Sequence, residues 1–164
     1  MLILFIGVVL FAAMIAEANL AARHDRALRA AGAVEPRDDV YPVMQIVYPA
    51  SFLAMLGEGY WRGAEPGAIF ALGAAVFVAA KALKYWAIAT LGARWTFRVL
   101  VPPGSSRILR GPYRWFTHPN YIGVMGELIG LAIAMRSVVA GSIAVVGFAV
   151  ILMRRIAVEE RALS

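Results

Sequence analysis

Apolar residues in this chain fall into five long runs, about 1–22, 41–61, 67–91, 120–135 and 138–153, with the polar residues gathered between them. Within the runs charge is sparse, limited to Glu17, Glu58, Lys81, Lys84 and Glu127. A spanning helix uses about 20 apolar residues, so the first three runs predict full membrane spans. The last two have about 16 residues each, roughly 24 Å at 1.5 Å per residue, and only Arg136 and Ser137 separate them. They predict a tight helical hairpin, and the spacing leaves open whether its tip reaches the far surface. The segment 154–164 keeps helical spacing, with Ile156 and Val158 among Arg154, Arg155, Glu159, Glu160 and Arg161. It predicts an amphipathic helical end outside the bilayer. No internal repeat interrupts the chain, and a single domain over 1–164 is the simplest organisation. The expected fold is all-α and integral to the membrane, with about five transmembrane helices.

Composition narrows this reading. Hydrophobic residues make up 62% of the 164 and charged residues 16%, against roughly 45–50% and 25% in a soluble domain, which excludes a typical soluble enzyme. The formal charge of +6 in so apolar a chain points to loops lying at an anionic membrane surface. No nucleic-acid-binding motif accompanies it. The chain has no cysteine and two histidines far apart, His24 and His118. Disulfides and thiolate chemistry are therefore excluded, and a metal site is not expected.

The basic residues also predict sidedness. If the first run starts outside, with Arg23, Arg26 and Arg29 as its inside anchor, the inside segments hold those three with Arg37, then Arg94, Arg98, Arg107, Arg110 and Arg114, then Arg154, Arg155 and Arg161. The outside loops hold only Arg62 and Arg136. By the positive-inside rule the N-terminus lies outside and the C-terminus in the cytoplasm. No basic segment precedes the first run, which speaks for a retained helix over a cleaved leader.

The inside loop 92–119 is the longest polar stretch, and a loop of this size is commonly functional. In GPYRWFTHPNYIGVMGE, from Gly111 to Glu127, Pro119 suits the first turn of a helix, where its missing N–H is no loss. His118 then stands at the helix mouth, beside free N–H groups and a positive dipole end that favour a carboxylate. On spacing alone it is equally a helix cap, with Tyr113, Trp115 and Tyr121 forming an interfacial aromatic belt. Likewise Arg155 and Glu159, at i and i+4, fit either an exposed pair or a grip on a methionine-like amino acid.

The segments LGARWTFRVLVPPG and GPYRWFTHPNYIG, with the later RRIAVEERAL, resemble the isoprenylcysteine carboxyl methyltransferase family, membrane enzymes that use S-adenosylmethionine. The resemblance covers roughly the C-terminal half. It implies a cytoplasmic cofactor pocket lined by His118, Tyr121, Glu159 and Arg155, with Tyr113, Asn120 and Glu160 of the same motifs as further contacts. Where the family usually has Arg before its His-Pro, this chain has Thr117, with Arg114 as the nearest substitute. The in-membrane carboxylate Glu127 is closer to bacterial relatives thought to methylate long-chain phenols and pyrones.

Lys84 and Glu127 each lie about seven residues from the inside end of their runs, about 10 Å deep, and are close enough in depth to pair. A charge there costs at least ~2–3 kcal/mol unless it finds a partner or a watery cavity. Glu17, near an inside end, is expected to snorkel to water. Asn120, Gly123, Glu127 and Gly130 share one helix face, which fits a substrate channel or close helix packing equally well. Glu127 and Arg94, the latter within the LGARW run, are the candidate catalytic residues. Lys84, Gly123 and Trp95 are candidates for the acceptor channel.

Together these readings predict a membrane methyltransferase acting on an oxygen of a lipophilic acceptor that enters from the membrane lipid. The rivals are a non-enzymatic scaffold or transporter subunit in which Lys84 and Glu127 are a structural pair, and a nicotinamide-dependent membrane reductase. The C-terminal motifs oppose the first, and the lack of a glycine-rich dinucleotide fingerprint opposes the second.

Overall fold

The computed structural model describes residues 1–36, 38–104 and 108–162. Arg37 and Arg107 of the inside segments, and residues 163 and 164, lie outside that range. Among the described residues five α-helices make up the architecture: α1 (Leu2–Ala30), α2 (Tyr41–Trp61), α3 (Ala68–Leu91), α4 (Pro119–Ala134) and α5 (Val139–Ala162). Two 3-10 turns, Gly92–Arg94 and Gly111–Arg114, punctuate the long loop. Among the described residues the only β-pairing is an isolated antiparallel bridge between Val34 and Val101.

Helix ends follow local chemistry. α1 runs eight residues past the expected membrane exit, since its arginines carry no break and the chain turns only at Gly32, with φ +84°. Pro42 opens α2, and Pro119 opens α4, both in the first turn where proline is tolerated. α3 stops at Gly92, whose φ of +56° suits a residue without Cβ. α5 continues without interruption through the region expected to leave the bilayer.

Three helices are long and apolar enough to cross a membrane: Leu2–Ala30, Ala68–Arg94 with its terminal 3-10 turn, and Val139–Ala162. The 21-residue α2 is diluted by Gln45, Ser51 and Glu58, and α4 has 16 residues.

The closest packing joins α3 to α4. A Cβ on Gly73 would lie 2.2 Å from the Ala134 backbone nitrogen, and one on Gly130 would lie 2.5 Å from that of Phe77. The two backbones can approach this closely only because these positions are glycine. Phe52, Met55, Leu128, Met135 and Phe148 fill the centre. At the opposite end of the bundle from His118, Glu58 of α2 accepts hydrogen bonds from Ser137 Oγ (2.7 Å) and from the Val139 and Ala140 backbone N–H groups (3.1 and 2.7 Å). A carboxylate from another helix thereby caps the start of α5 and fixes the turn after α4.

Candidate functional site

A cavity of about 450 Å³ lies among α1, α2, the start of α4, the end of α5 and the loop after α3. Its size is that of a small-molecule or cofactor site. The first turn of α4 and the last turns of α5 face each other across one part of it. Tyr121 Oη donates to Glu159 Oε2 at 2.5 Å, and the His118 ring stacks on Tyr121 with centroids 5.4 Å apart. His118 Nδ1 lies 4.0 Å from Glu159 and its Nε2 lies 3.3 Å from Glu160. Tyr113, on the second 3-10 turn, borders the same space; burial, and after it the Glu159 charge, push its phenol well above the usual range.

One wall is a continuous strap, residues 94–101. Polar bonds from α1, the α1–α2 loop and α5 hold it down. His24 of α1 contacts the Trp95 carbonyl at 2.8 Å, and the Val99 N–H donates to Asp39 at 2.9 Å. Arg98 Nη1 bonds Glu35 at 2.7 Å. Burial alone would raise the Glu35 carboxyl, but the hydrogen bonds and charges of Arg29 and Arg98 outweigh it and hold the group below its usual range. Arg155 of α5 completes the fastening: Nη1 pairs with Asp39, Nη2 donates to the Phe97 carbonyl at 2.6 Å and Nε to Tyr121 Oη at 3.2 Å. Arg155 is 3% exposed, so this guanidinium joins the strap, the α1–α2 loop and α4 in one buried node.

Deeper in the bundle the cavity meets a cluster of four charges. Lys84 Nζ is 2.8 Å from Glu17 and 2.8 Å from Glu127; Lys81 Nζ is 2.7 Å from Glu17 and 3.4 Å from Glu127. Tyr48 Oη donates to Glu127 at 2.6 Å. Two ammonium groups and two carboxylates alternate around a neutral square. Lys84 does meet Glu127, but Glu17 is buried within the square and does not snorkel to water. Lys81 joins it as the fourth member.

Of the residues singled out from sequence, Arg94, Trp95, Tyr113, His118, Asn120, Tyr121, Lys84, Arg155 and Glu159 border the cavity. Three do not. Gly123 lies in the α3–α4 contact, where a Cβ would stand 2.8 Å from that of Lys84, so the small-residue face of α4 serves packing there and not a channel. Glu127 is fully buried behind the cavity wall, its carboxylate taken up by two lysines and a tyrosine. Glu160 is half exposed and lies outside the lining. Sequence reasoning passed over Asp39, Tyr48 and Lys81. Lys81 carried a signal, as a second charge within an apolar run, whereas Asp39 in an irregular loop carried none.

The sequence pattern of the isoprenylcysteine carboxyl methyltransferase family matches residues 72–164. YpbQ of Bacillus subtilis, an uncharacterized protein, is 30% identical over 148 residues, spanning 90% of this chain and 88% of its own. An uncharacterized protein of Haemophilus influenzae is 26% identical over 147 residues, 89% of this chain and 86% of its own. No solved structure matches the chain significantly. With over half its length inside the family pattern, from the second turn of α3 through both cavity-lining motifs, this integral membrane protein belongs to the isoprenylcysteine carboxyl methyltransferase family.

Proposed function

We propose that the protein moves a methyl group from S-adenosylmethionine to an oxygen of a lipophilic acceptor, either a long-chain phenol or pyrone or a prenylcysteine-like carboxylate. The observation that carries this reading is one continuous cavity with two chemically different parts. The α4–α5 part gathers His118, Asn120, Tyr121 and Glu159, while the part towards α1 and α2 is walled by Met14, Met44, Pro49 and Phe148. Two lining residues also keep a buried polar atom without a protein partner, the Trp95 indole nitrogen and Asn120 Oδ1. A buried donor and a buried acceptor of this kind fit a ligand that carries both polar types.

Glu159 is placed to hold the ammonium of the methionine end, with His118 and Tyr121 setting the carboxylate's position. Trp95 and Asn120 are placed to take the polar edges of the remainder. When bound, the sulfonium supplies an activated methyl carbon, and transfer is an in-line displacement that needs alignment above all. The chain's contribution is to align the acceptor, exclude water behind the strap and provide the apolar limb for an alkyl chain. Arg94, on the cavity wall, is the candidate cation for the acceptor's oxygen.

Calorimetry on the purified protein in detergent tests this reading. Glu159→Ala is expected to weaken S-adenosylmethionine binding more than tenfold, well beyond the few tenths of a kcal/mol of an exposed pair. An unchanged affinity would return Glu159 to the solvated helix charges.

The same reading puts the strap and the α4–α5 part of the cavity on the cytoplasmic side, by the arginine asymmetry. In this cysteine-free chain, Glu65→Cys is expected to react with an impermeant thiol reagent on intact cells and Ala31→Cys to be protected. Labelling at position 31 alone would invert the orientation.

A further inference from the structure

The charge square has an inside and an outside relative to the cavity. Glu17, Lys84 and Tyr48 form part of the cavity wall, whereas Glu127 and Lys81 do not. Of the two carboxylates, then, only Glu17 can meet a ligand. Glu17 belongs to α1 and Tyr48 to α2, both outside the matched segment 72–164, so neither is explained by what family membership requires.

We infer that Glu17 takes the proton from the acceptor's hydroxyl and that Lys84 holds the oxyanion left behind; this rests on the O-methylation reading above. In the step, the acceptor's O–H bond breaks, the proton bonds to the Glu17 carboxylate and the electron pair stays on the acceptor oxygen. The Lys84 ammonium, 2.8 Å from Glu17, turns to that oxygen as Glu17 loses its charge. The acceptor oxygen then bonds the methyl carbon while the carbon–sulfur bond breaks and its pair remains with sulfur. Glu17 returns its proton to water once the products leave.

Electrostatics favour this assignment. An isolated carboxylate and an isolated oxyanion are both expensive in an apolar interior. Here negative charge passes from Glu17 to the acceptor with the same two ammonium groups beside it. Before and after proton transfer the site holds two positive and two negative charges, so no uncompensated charge is buried. Glu127 stays fixed by Lys81 and Tyr48 and anchors Lys84 throughout.

The experiment compares two acceptors on the full chain in detergent: 3-pentadecylphenol, and its ring-nitrated counterpart, which is ionised at mildly alkaline pH without a base. Glu17→Gln is measured beside Glu17→Gln/Lys81→Met, in which the square is neutral again and the fold is protected from a surplus cation. S-adenosylmethionine affinity and thermal midpoint are read for each. The double variant is expected to bind S-adenosylmethionine as the wild type does and to lose ~10²-fold or more in turnover of the plain phenol. On the nitrated phenol it is expected to stay within a few-fold of wild type. Wild-type turnover of the plain phenol by the double variant, or equal losses on both phenols, would overturn the assignment. A wild-type protein that binds S-adenosylmethionine but methylates neither phenol would also overturn it, leaving methyl transfer to another acceptor in place. Failure of the wild type to bind S-adenosylmethionine would remove the broader reading and this inference together.

Discussion

Replacing Glu127 by Gln, or Lys84 by Met, is expected to destabilise the protein by about 3–5 kcal/mol in each case, and making both changes together to recover most of that loss. Either change alone leaves the square with an odd charge where neither side chain reaches water: Glu127 is fully buried and Lys84 is 2% exposed. The double change removes one cation and one anion, and the 2.7 Å pair between Lys81 and Glu17 survives as a neutral unit. Packing is nearly preserved, because Gln and Met approximate the shapes they replace. A double-mutant cycle by chemical or thermal unfolding in detergent measures the coupling directly. Additive losses would show that the four side chains do not act as a charge-balanced set. Turnover separates the roles further. The double variant is expected to be folded yet slow, since Lys84 borders the cavity while its partner Glu127 does not.

Arg155→Lys is expected to weaken S-adenosylmethionine binding by ~10²-fold or more, even though the positive charge is kept. The reason is geometric. Arg155 reaches Asp39, the Phe97 carbonyl and Tyr121 with three differently directed N–H groups, which a single ammonium on a flexible stem cannot reproduce. Breaking a buried charge pair of this kind costs about 3–5 kcal/mol, and each 1.4 kcal/mol passed on to binding is a factor of ten. The sequence left Arg155 open between an exposed pair with Glu159 and a grip on a methionine-like amino acid; the structure uses those N–H groups to fasten the cavity wall. Asp39→Asn distinguishes the two roles. As a fastening partner, Asp39 should matter to binding in the same direction as Arg155, because it also holds the Val99 N–H at 2.9 Å. If Arg155 acted only by direct contact with the ligand, Asp39→Asn would leave the affinity unchanged. Protease cleavage within 95–101 should accelerate in both variants if the strap is released.

How far sequence carried the description depended on the range of each interaction. Helix positions followed from runs of apolar residues and, for α4, from Pro119, because those signals act within a turn or two of the residue that carries them. The apolar run 1–22 marked the span and not the end of α1, since an arginine marks where a helix leaves the apolar phase and not where its hydrogen bonds stop. The pairing of Lys84 with Glu127 could be foreseen because both sit at equal depth in runs of known direction. Glu17 could not be assigned in the same way. A carboxylate near the end of a run can reach water or turn inwards, and only the placement of α1 against α3 decides. Asp39 was beyond reach: its partner Arg155 lies 116 residues away, and its loop has no periodicity from which to infer a direction. The glycines of α4 were read as either packing or channel residues, with Gly123 a channel candidate, and the Cβ distances at Gly123 and Gly130 resolve them to packing.

The charge square also bears on how the chain is assembled in the bilayer. Between Met1 and Ala22 the only charged side chain is Glu17, and its nearer lysine follows it 64 residues later. During synthesis α1 therefore meets lipid as a helix with one uncompensated anion, and α3 arrives carrying two cations. On insertion scales each such charge opposes membrane residence by about 2.5–3.5 kcal/mol at mid-depth. Neither helix is at its best as an independent span; each becomes fully compatible with the hydrocarbon only when the other is beside it, with Glu127 of α4 closing the balance. Membrane integration and tertiary assembly are then one cooperative event for these helices, and the same four side chains, two of which border the cavity, select the correct helix neighbours while the protein is being made.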